Sequence, residues 1–188
     1  MTLNRRGLLR GSMAMAAGIV ATPTALGLVA YDPVEAAPLT EKRLAFRNIH
    51  NNEKVDARFF GPRGFDRQGL AEINHGLRDW RTGDVKEIDP ALILLLATLR
   101  AELDVSSRTK FDIISGYRSP KTNGALHARS DGVATKSQHM LGKATDIALP
   151  GIPLARLHKA ALAMKRGGVG FYPASGFVHV DTGRVRSW

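Results

Sequence analysis

The sequence contains no cysteine, which excludes disulfides, thiolate nucleophiles and cysteine-ligated metal sites. Any metal must therefore sit on His, Asp or Glu, and histidine is itself sparse, with 6 among 188 residues. Acidic residues are outnumbered: 17 Asp and Glu stand against 27 Lys and Arg, a formal net charge of +10. In the first 36 residues Arg5, Arg6 and Arg10 are offset by Asp32 and Glu35, so about +9 stays with the rest. Such a surface favours a polyanion: nucleic acid, anionic lipid, or a cell wall rich in carboxylates and phosphates. Internal repeats, low-complexity tracts and interdomain linkers are absent from the sequence. A chain of 188 residues with 44% hydrophobic content suits one core rather than two.

The N-terminus has the layout of an export signal. Residues 4 to 10 read Asn-Arg-Arg-Gly-Leu-Leu-Arg, and an uncharged stretch rich in Ala, Gly, Val and Leu runs from Gly11 to Ala30. The paired Arg5 and Arg6 followed by Leu8, Leu9 and Arg10 resemble the twin-arginine signal, which a receptor reads as an address. Cleavage after Ala36 fits the small-residue rule, with Val34 and Ala36 at the two small positions. The expected organisation is a signal peptide over residues 1–36 and a folded domain over 37–188. The alternative is an uncleaved anchor, since about 20 apolar residues can span a bilayer. Either arrangement puts residues 37–188 outside the cytoplasm, which counts against nucleic acid as a partner.

Past the leader, Leu44, Phe46 and Asn48, then Asn51-Asn52, then Val55, Ala57 and Phe59, read as a β-hairpin. Leu70, Ile73, Leu77 and Trp80 recur at helical spacing up to Gly83. Asp89-Pro90 supplies an N-cap and a first-turn proline for a second helix through Leu92, Ile93, Leu95, Leu96, Leu99 and Leu103. Phe111 to Ser115 is a short strand, residues 118–138 read as a long polar loop, and Ala144 to Leu149 is strand-like. Leu154, Leu157, Ala161 and Met164 mark a third helix closed by Gly167-Gly168, before strands at Val169 to Tyr172 and Phe177 to Asp181. This order predicts an α+β fold, a mostly antiparallel sheet flanked by helices. A loop of about 20 residues is unusual in a compact domain unless it serves function.

That loop leads into the segment richest in chemistry, Ser137-Gln138-His139-Met140-Leu141-Gly142-Lys143-Ala144-Thr145-Asp146. Its histidine precedes a glycine turn and its aspartate lies in the next strand, so the turn can bring imidazole and carboxylate together. In Phe177-Val178-His179-Val180-Asp181, His179 and Asp181 share one strand face because side chains alternate with period two. Two histidines and a carboxylate form a catalytic zinc set with one position left for water. A single strand histidine is more often structural. Asp146, between Thr145 and Ile147 on a largely apolar strand, demands a partner.

The pattern Ser-x-His-x-x-Gly-x-Ala-x-Asp, met by Ser137, His139, Gly142, Ala144 and Asp146, resembles the signature of the zinc D-Ala-D-Ala metallopeptidase superfamily, whose fold is shared with the hedgehog signalling domain. Ser115-Gly116-Tyr117-Arg118-Ser119 is similar to the segment ahead of that motif. Together with Gly168 to Tyr172 and Phe177 to Asp181, these runs resemble the YcbK-like, MepK-type murein endopeptidases over roughly residues 40–188. The resemblance implies a hedgehog/DD-peptidase-like fold and a periplasmic Zn2+ enzyme that hydrolyses peptide cross-links and takes peptidoglycan stem peptides as substrate. It implies His139, Asp146 and His179 as metal ligands and Arg118 as the family's arginine.

Arg118 is thus a candidate for holding a developing oxyanion or a substrate carboxylate, with a structural ion pair as the alternative. Ser137 either contacts substrate, orients a ligand or caps the turn. Many superfamily members carry an acid or histidine two or three residues before the last ligand, where this chain has Phe177 and Gly176. Asp181 is therefore the candidate general base, with a carboxylate supporting His179 as its alternative role, and His127 is held in reserve. His50, His75 and His158 read as surface or packing residues. The competing functions are a D,D-carboxypeptidase or dipeptidase and a zinc-containing wall-binding module.

Overall fold

The computed structural model describes residues 41–130 and 132–188; the expected signal peptide at residues 1–36 lies outside them. Strands β1 (Lys42–Asn48) and β2 (Lys54–Gly61) pair antiparallel around a turn in which Asn52 takes φ 57. That left-handed conformation is one asparagine tolerates. The hairpin drives Leu44, Phe46, Ala57 and Phe59 into the core. β3 (Gly64–Phe65) extends it, and helix α1 (Arg67–Gly76) starts on Asp66, whose carboxylate accepts from the N–H groups of Gln68 and Gly69.

Helix α1 stops at Gly76 instead of continuing to Trp80. The next residues turn around Asp79, which is buried and accepts from the N–H of Arg81 at 3.0 Å. The same carboxylate accepts from the Ser119 N–H at 2.9 Å and the Ser119 hydroxyl at 2.7 Å. Trp80 is turned outward and stacks on His50 with ring centroids 4.2 Å apart. Helix α2 (Pro90–Glu102) begins where the sequence predicts, with Asp89 accepting from the Ala91 N–H. Its Leu92, Ile93, Leu95, Leu96 and Leu99 are buried beside Phe111, Ile113, Ile147 and Leu157.

β4 (Phe111–Ser115) runs parallel to β1. The stretch read from the sequence as a loop then forms a helix, α3 (Pro120–His127), with Ser119 as N-cap accepting from Thr122 and Pro120 in its first turn. These are the signals that start α2. They were hidden by a helix of only 8 residues with two buried positions, Thr122 and Asn123, too few to show a period. A 3-10 turn (Gln138–Leu141) leads to β5 (Ala144–Ala148), followed by α4 (Leu154–Met164), β6 (Gly168–Tyr172), β7 (Phe177–Asp181) and β8 (Arg186–Ser187). Helix α4 ends on Lys165 at φ 51, before the glycine pair. Gly167 is instead required by close approach, because a Cβ there would overlap the Asp181 carbonyl.

The fold is α+β, with one eight-stranded sheet in the order β3-β2-β1-β4-β5-β7-β6-β8. It is mixed rather than purely antiparallel: β1–β4 and β6–β8 run parallel, and the other five pairings are antiparallel. The first is a crossover through α1 and α2, and the second is made by a two-residue strand that carries no readable alternation. Among the described residues no helix is long and apolar enough to cross a membrane.

Asp79 ties the α1–α2 connection to the cap of α3, and this gives a testable expectation. Burial, the largest influence on its carboxyl, would raise the pKa, but hydrogen bonds from Thr122, from Ser119 and from backbone N–H groups outweigh it and the pKa is lowered. The stability this contributes is present above the ordinary aspartate value of about 4 and is lost as pH falls toward the folded-state value. Asp79→Ala should cost about 2–4 kcal/mol in denaturant unfolding at neutral pH. Asp79→Asn should flatten the acid limb of the stability–pH curve; an unchanged limb would assign the acid sensitivity elsewhere.

Candidate metal centre

The centre is assembled by two pairings and one turn. Asp146 on β5 lies directly opposite His179 on β7. His139 is carried in by the 3-10 turn, which Ser137 caps by accepting from the His139 N–H at 3.3 Å. Gly142 closes that turn at φ 68, where a Cβ would press on the Glu87 carbonyl. His139, Asp146 and His179 are all buried, and each offers one ligand atom to a group within 4.8 Å.

The second ring nitrogens decide what faces the centre. His139 Nδ1 lies 2.7 Å from the Gly116 carbonyl, which can only accept, so Nδ1 carries the hydrogen and Nε2 presents a lone pair. His179 Nε2 lies 3.0 Å from Asp181 Oδ2, so in the neutral ring Nε2 carries the hydrogen and Nδ1 presents the lone pair. Those two nitrogens are 3.2 Å apart, and Asp146 Oδ1 lies 2.8 Å from His179 Nδ1 and 3.3 Å from His139 Nε2. Three electron-pair donors thus converge on one buried point, an arrangement that requires a cation or an added proton. Ligands about 2.0–2.1 Å from a tetrahedral ion are roughly 3.3 Å from one another, so the set fits a zinc-sized metal.

Burial pulls the His139 pKa down, against the opposing pull of Asp146. At His179 burial also acts downward, but hydrogen bonds to Asp146 and Asp181 and the charges of both carboxylates prevail, and its pKa is raised. Burial alone would raise the Asp146 pKa, yet His139 and His179 hold it well below the ordinary carboxylate range.

Arg118 is placed as expected beside the centre, its Nη2 3.6 Å from Asp146 Oδ2 and its side chain 12% exposed. Burial is the main influence that lowers its pKa, and Asp146 opposes it. Ser137 combines its cap with a place in the wall of the cleft. Asp181, the candidate general base, is brought next to His179 and is not among the residues that line the cleft. It is 0% exposed and lies behind the imidazole, with Oδ2 taken by His179 and by Arg186 Nη2 at 2.6 Å. Its Oδ1 accepts from Arg186 Nη1 at 3.1 Å, Gly168 N–H at 3.0 Å and Gly183 N–H at 2.8 Å. Both oxygens are thus engaged, a geometry in which a carboxylate can orient a histidine ring. Burial opposes, and these hydrogen bonds enforce, a pKa well below the ordinary range.

His127 is exposed at the end of α3, bonded through Nδ1 to the Val133 carbonyl at 2.6 Å, and is not in the cleft lining. His50 and His158 pack against Trp80 and Phe171, and His75 lies in an exposed pair with Glu53.

A cleft of about 710 Å³ opens onto the centre, within the usual size of ligand sites. Besides the metal set it is lined by Arg118, Lys136, Arg184, Arg186, Tyr172 and Trp188. Among the described lining residues Asp146 is the only acidic side chain, against Arg118, Lys136, Arg184 and Arg186, so the walls favour an anionic ligand. Sequence reasoning missed the Gly116 carbonyl, Arg186 and Trp188. A backbone acceptor leaves no side-chain signature, and the residues 184–188 show no pattern that marks them as part of a site.

Residues 36–188 match the family described as peptidoglycan L,D-endopeptidase MepK. The chain is 44% identical over 186 residues to the peptidoglycan L,D-endopeptidase MepK of Escherichia coli K12, covering 98% of this chain and 97% of that protein. It is 39% identical over 145 residues to the probable peptidoglycan L,D-endopeptidase MepK of Haemophilus influenzae, covering 77% of each. No solved structure matches the chain.

Because metal and proton compete for His179, zinc affinity should fall as pH drops through the raised His179 pKa, beginning at a higher pH than for an ordinary imidazole. Asp181→Asn should weaken zinc about 10- to 100-fold at neutral pH and move that onset to lower pH. Chelator competition across a pH series measures both. An onset unmoved by Asp181→Asn would show that Asp181 does not set the His179 proton affinity.

Proposed function

This chain belongs to the peptidoglycan L,D-endopeptidase MepK family, and on that premise we propose that it cleaves murein cross-links with a zinc ion held by His139, Asp146 and His179. It is a peptidoglycan hydrolase and a peptidase. The observation that carries the zinc reading is the convergence of two imidazole lone pairs and a carboxylate oxygen on one buried point. Bound zinc supplies Lewis-acid polarisation of a carbonyl and a water acidified toward neutral pH. The bond we assign is the L,D link named for the relatives. The hedgehog/DD-peptidase-like fold is the reading supported by the mixed sheet and the placement of the ligand set on β5, β7 and the turn before β5.

Each residue then has a physical task. The Gly116 carbonyl and Asp181 fix the two imidazoles in the tautomers that turn lone pairs inward. Arg118 keeps a full positive charge beside Asp146, where it can steady a carbonyl oxygen that gains negative charge or a substrate carboxylate. Lys136 and Arg184 on the cleft wall attract the carboxylates of a stem peptide. Export through the Arg5-Arg6 leader, with a periplasmic site of action, accords with a murein substrate.

Digestion of purified cross-linked murein with mass analysis of the products tests this reading. His139→Ala should abolish zinc uptake and hydrolysis together; hydrolysis without the histidine would sink the zinc mechanism. Arg118→Ala should retain zinc and lose roughly 10²- to 10³-fold in kcat/KM. A reporter fused to residues 1–40 should leave the cytoplasm, and its retention there would overturn the export assignment.

A further inference from the structure

The last residues of the chain place an aromatic pair in the cleft that the tasks above do not use. β8 runs parallel to β6, with the Trp188 N–H donating to the Val169 carbonyl at 3.3 Å and the Phe171 N–H donating to the Trp188 carbonyl at 3.1 Å. The indole is thereby laid across Gly170, where a Cβ would come within 2.7 Å of it. Its ring centroid is 5.2 Å from that of His179, and the Arg186 guanidinium sits 4.8 Å over it. Tyr172, at the end of β6, stacks on Phe177 at 4.6 Å. Both Tyr172 and Trp188 line the cleft with the metal set.

Trp188 Nε1 lies 2.6 Å from the Tyr172 hydroxyl. An indole N–H can only donate, so the phenol oxygen is the acceptor and its own proton is not used in this bond. Among the described residues the Tyr172 hydroxyl has no second hydrogen-bond partner. Phe177 stacking fixes the ring and Trp188 fixes the rotation of the hydroxyl, leaving one oriented donor in a cleft whose charge favours anionic peptides.

We propose that Tyr172 is a substrate-contacting residue whose hydroxyl donates a hydrogen bond to a backbone carbonyl of the bound stem peptide, and that Trp188 is its positioning residue. The proposal rests on the murein reading for the identity of the peptide. It assigns a binding task to the C-terminal residue, which is 50% exposed.

The test is calorimetric binding of a synthetic stem peptide carrying diaminopimelate to metal-free protein, which separates peptide recognition from zinc chemistry. Tyr172→Phe should weaken binding roughly three- to tenfold, the value of one hydrogen bond. Trp188→Phe keeps a ring over Gly170 but removes the donor, and should weaken binding by a smaller factor. The double variant should bind no more weakly than Tyr172→Phe alone, because the indole acts only through the phenol. Wild-type affinity in Tyr172→Phe would overturn the contact, and additive losses would overturn the positioning role. Should Tyr172→Phe lower the unfolding midpoint, Trp188→Phe decides alone, and unchanged affinity there overturns the proposal. Hydrolysis surviving in His139→Ala would remove the zinc reading without altering these affinities, so the two failures are distinct.

Discussion

Three electron-pair donors held within 3.3 Å of one another in a buried pocket repel each other, and only a positive charge lets them stay. Arg118 provides part of it, but its Nη2 stands 3.6 Å from Asp146 Oδ2, on the far oxygen from the imidazoles. In the absence of metal, a proton on His179 is the remaining remedy, which agrees with the raised pKa of that group. The surrounding structure is organised to keep this unfavourable geometry from relaxing. Gly116 anchors one ring and Asp181 the other, while Arg186, Gly168 and Gly183 anchor Asp181. An ion of the right size converts stored repulsion into coordination, so the rigidity of the shell contributes directly to metal affinity.

The path by which the fold delivers that rigidity runs through positions remote from the centre. The Asp89 N–H donates to the Gly142 carbonyl at 2.9 Å, and the Asp89 carboxylate accepts from the Thr182 hydroxyl at 2.8 Å. The N-cap of α2 therefore clamps both the end of the His139 turn and the end of β7. Asp79 performs the matching service on the other side, holding Ser119 next to Arg118. Two helix-start signals that look purely local in sequence are thus shared with the metal motif.

The convergence of His139, Asp146 and His179 was legible because each sits in a pattern with a geometric meaning: a histidine before a glycine turn, and residues of matching face on two strands. The α2 start was legible for the same reason, since Asp89-Pro90 acts through its nearest neighbours. What was not legible depended on distant partners. The role of Asp181 could not be separated from that of a base, because period-two spacing gives the shared face but not which ring nitrogen points to it. Tautomer and rotation are set by the Asp146–His179 register and by Arg186, which is brought alongside by a parallel strand of two residues. Helix α3 was missed because its 8 residues bury only Thr122 and Asn123, too few to show a period, while the tie from Asp79 to its N-cap comes from 40 residues away.

Arg186 connects the support of His179 to the wall of the cleft. Its guanidinium makes a two-point ion pair with the fully buried Asp181, and its plane also lies over the Trp188 ring. Burying the Asp181 charge requires such a partner, since a carboxylate with 0% exposure and no cation would be strongly disfavoured. Here that cation comes from β8, so the carboxylate that orients His179 also holds β8 in place. Trp188 is consequently placed over Gly170 and against His179 as a by-product of solving the electrostatics of Asp181. A wall of the cleft and the support of the metal centre are therefore one structural unit, in which a change to either is transmitted through Arg186 to the other.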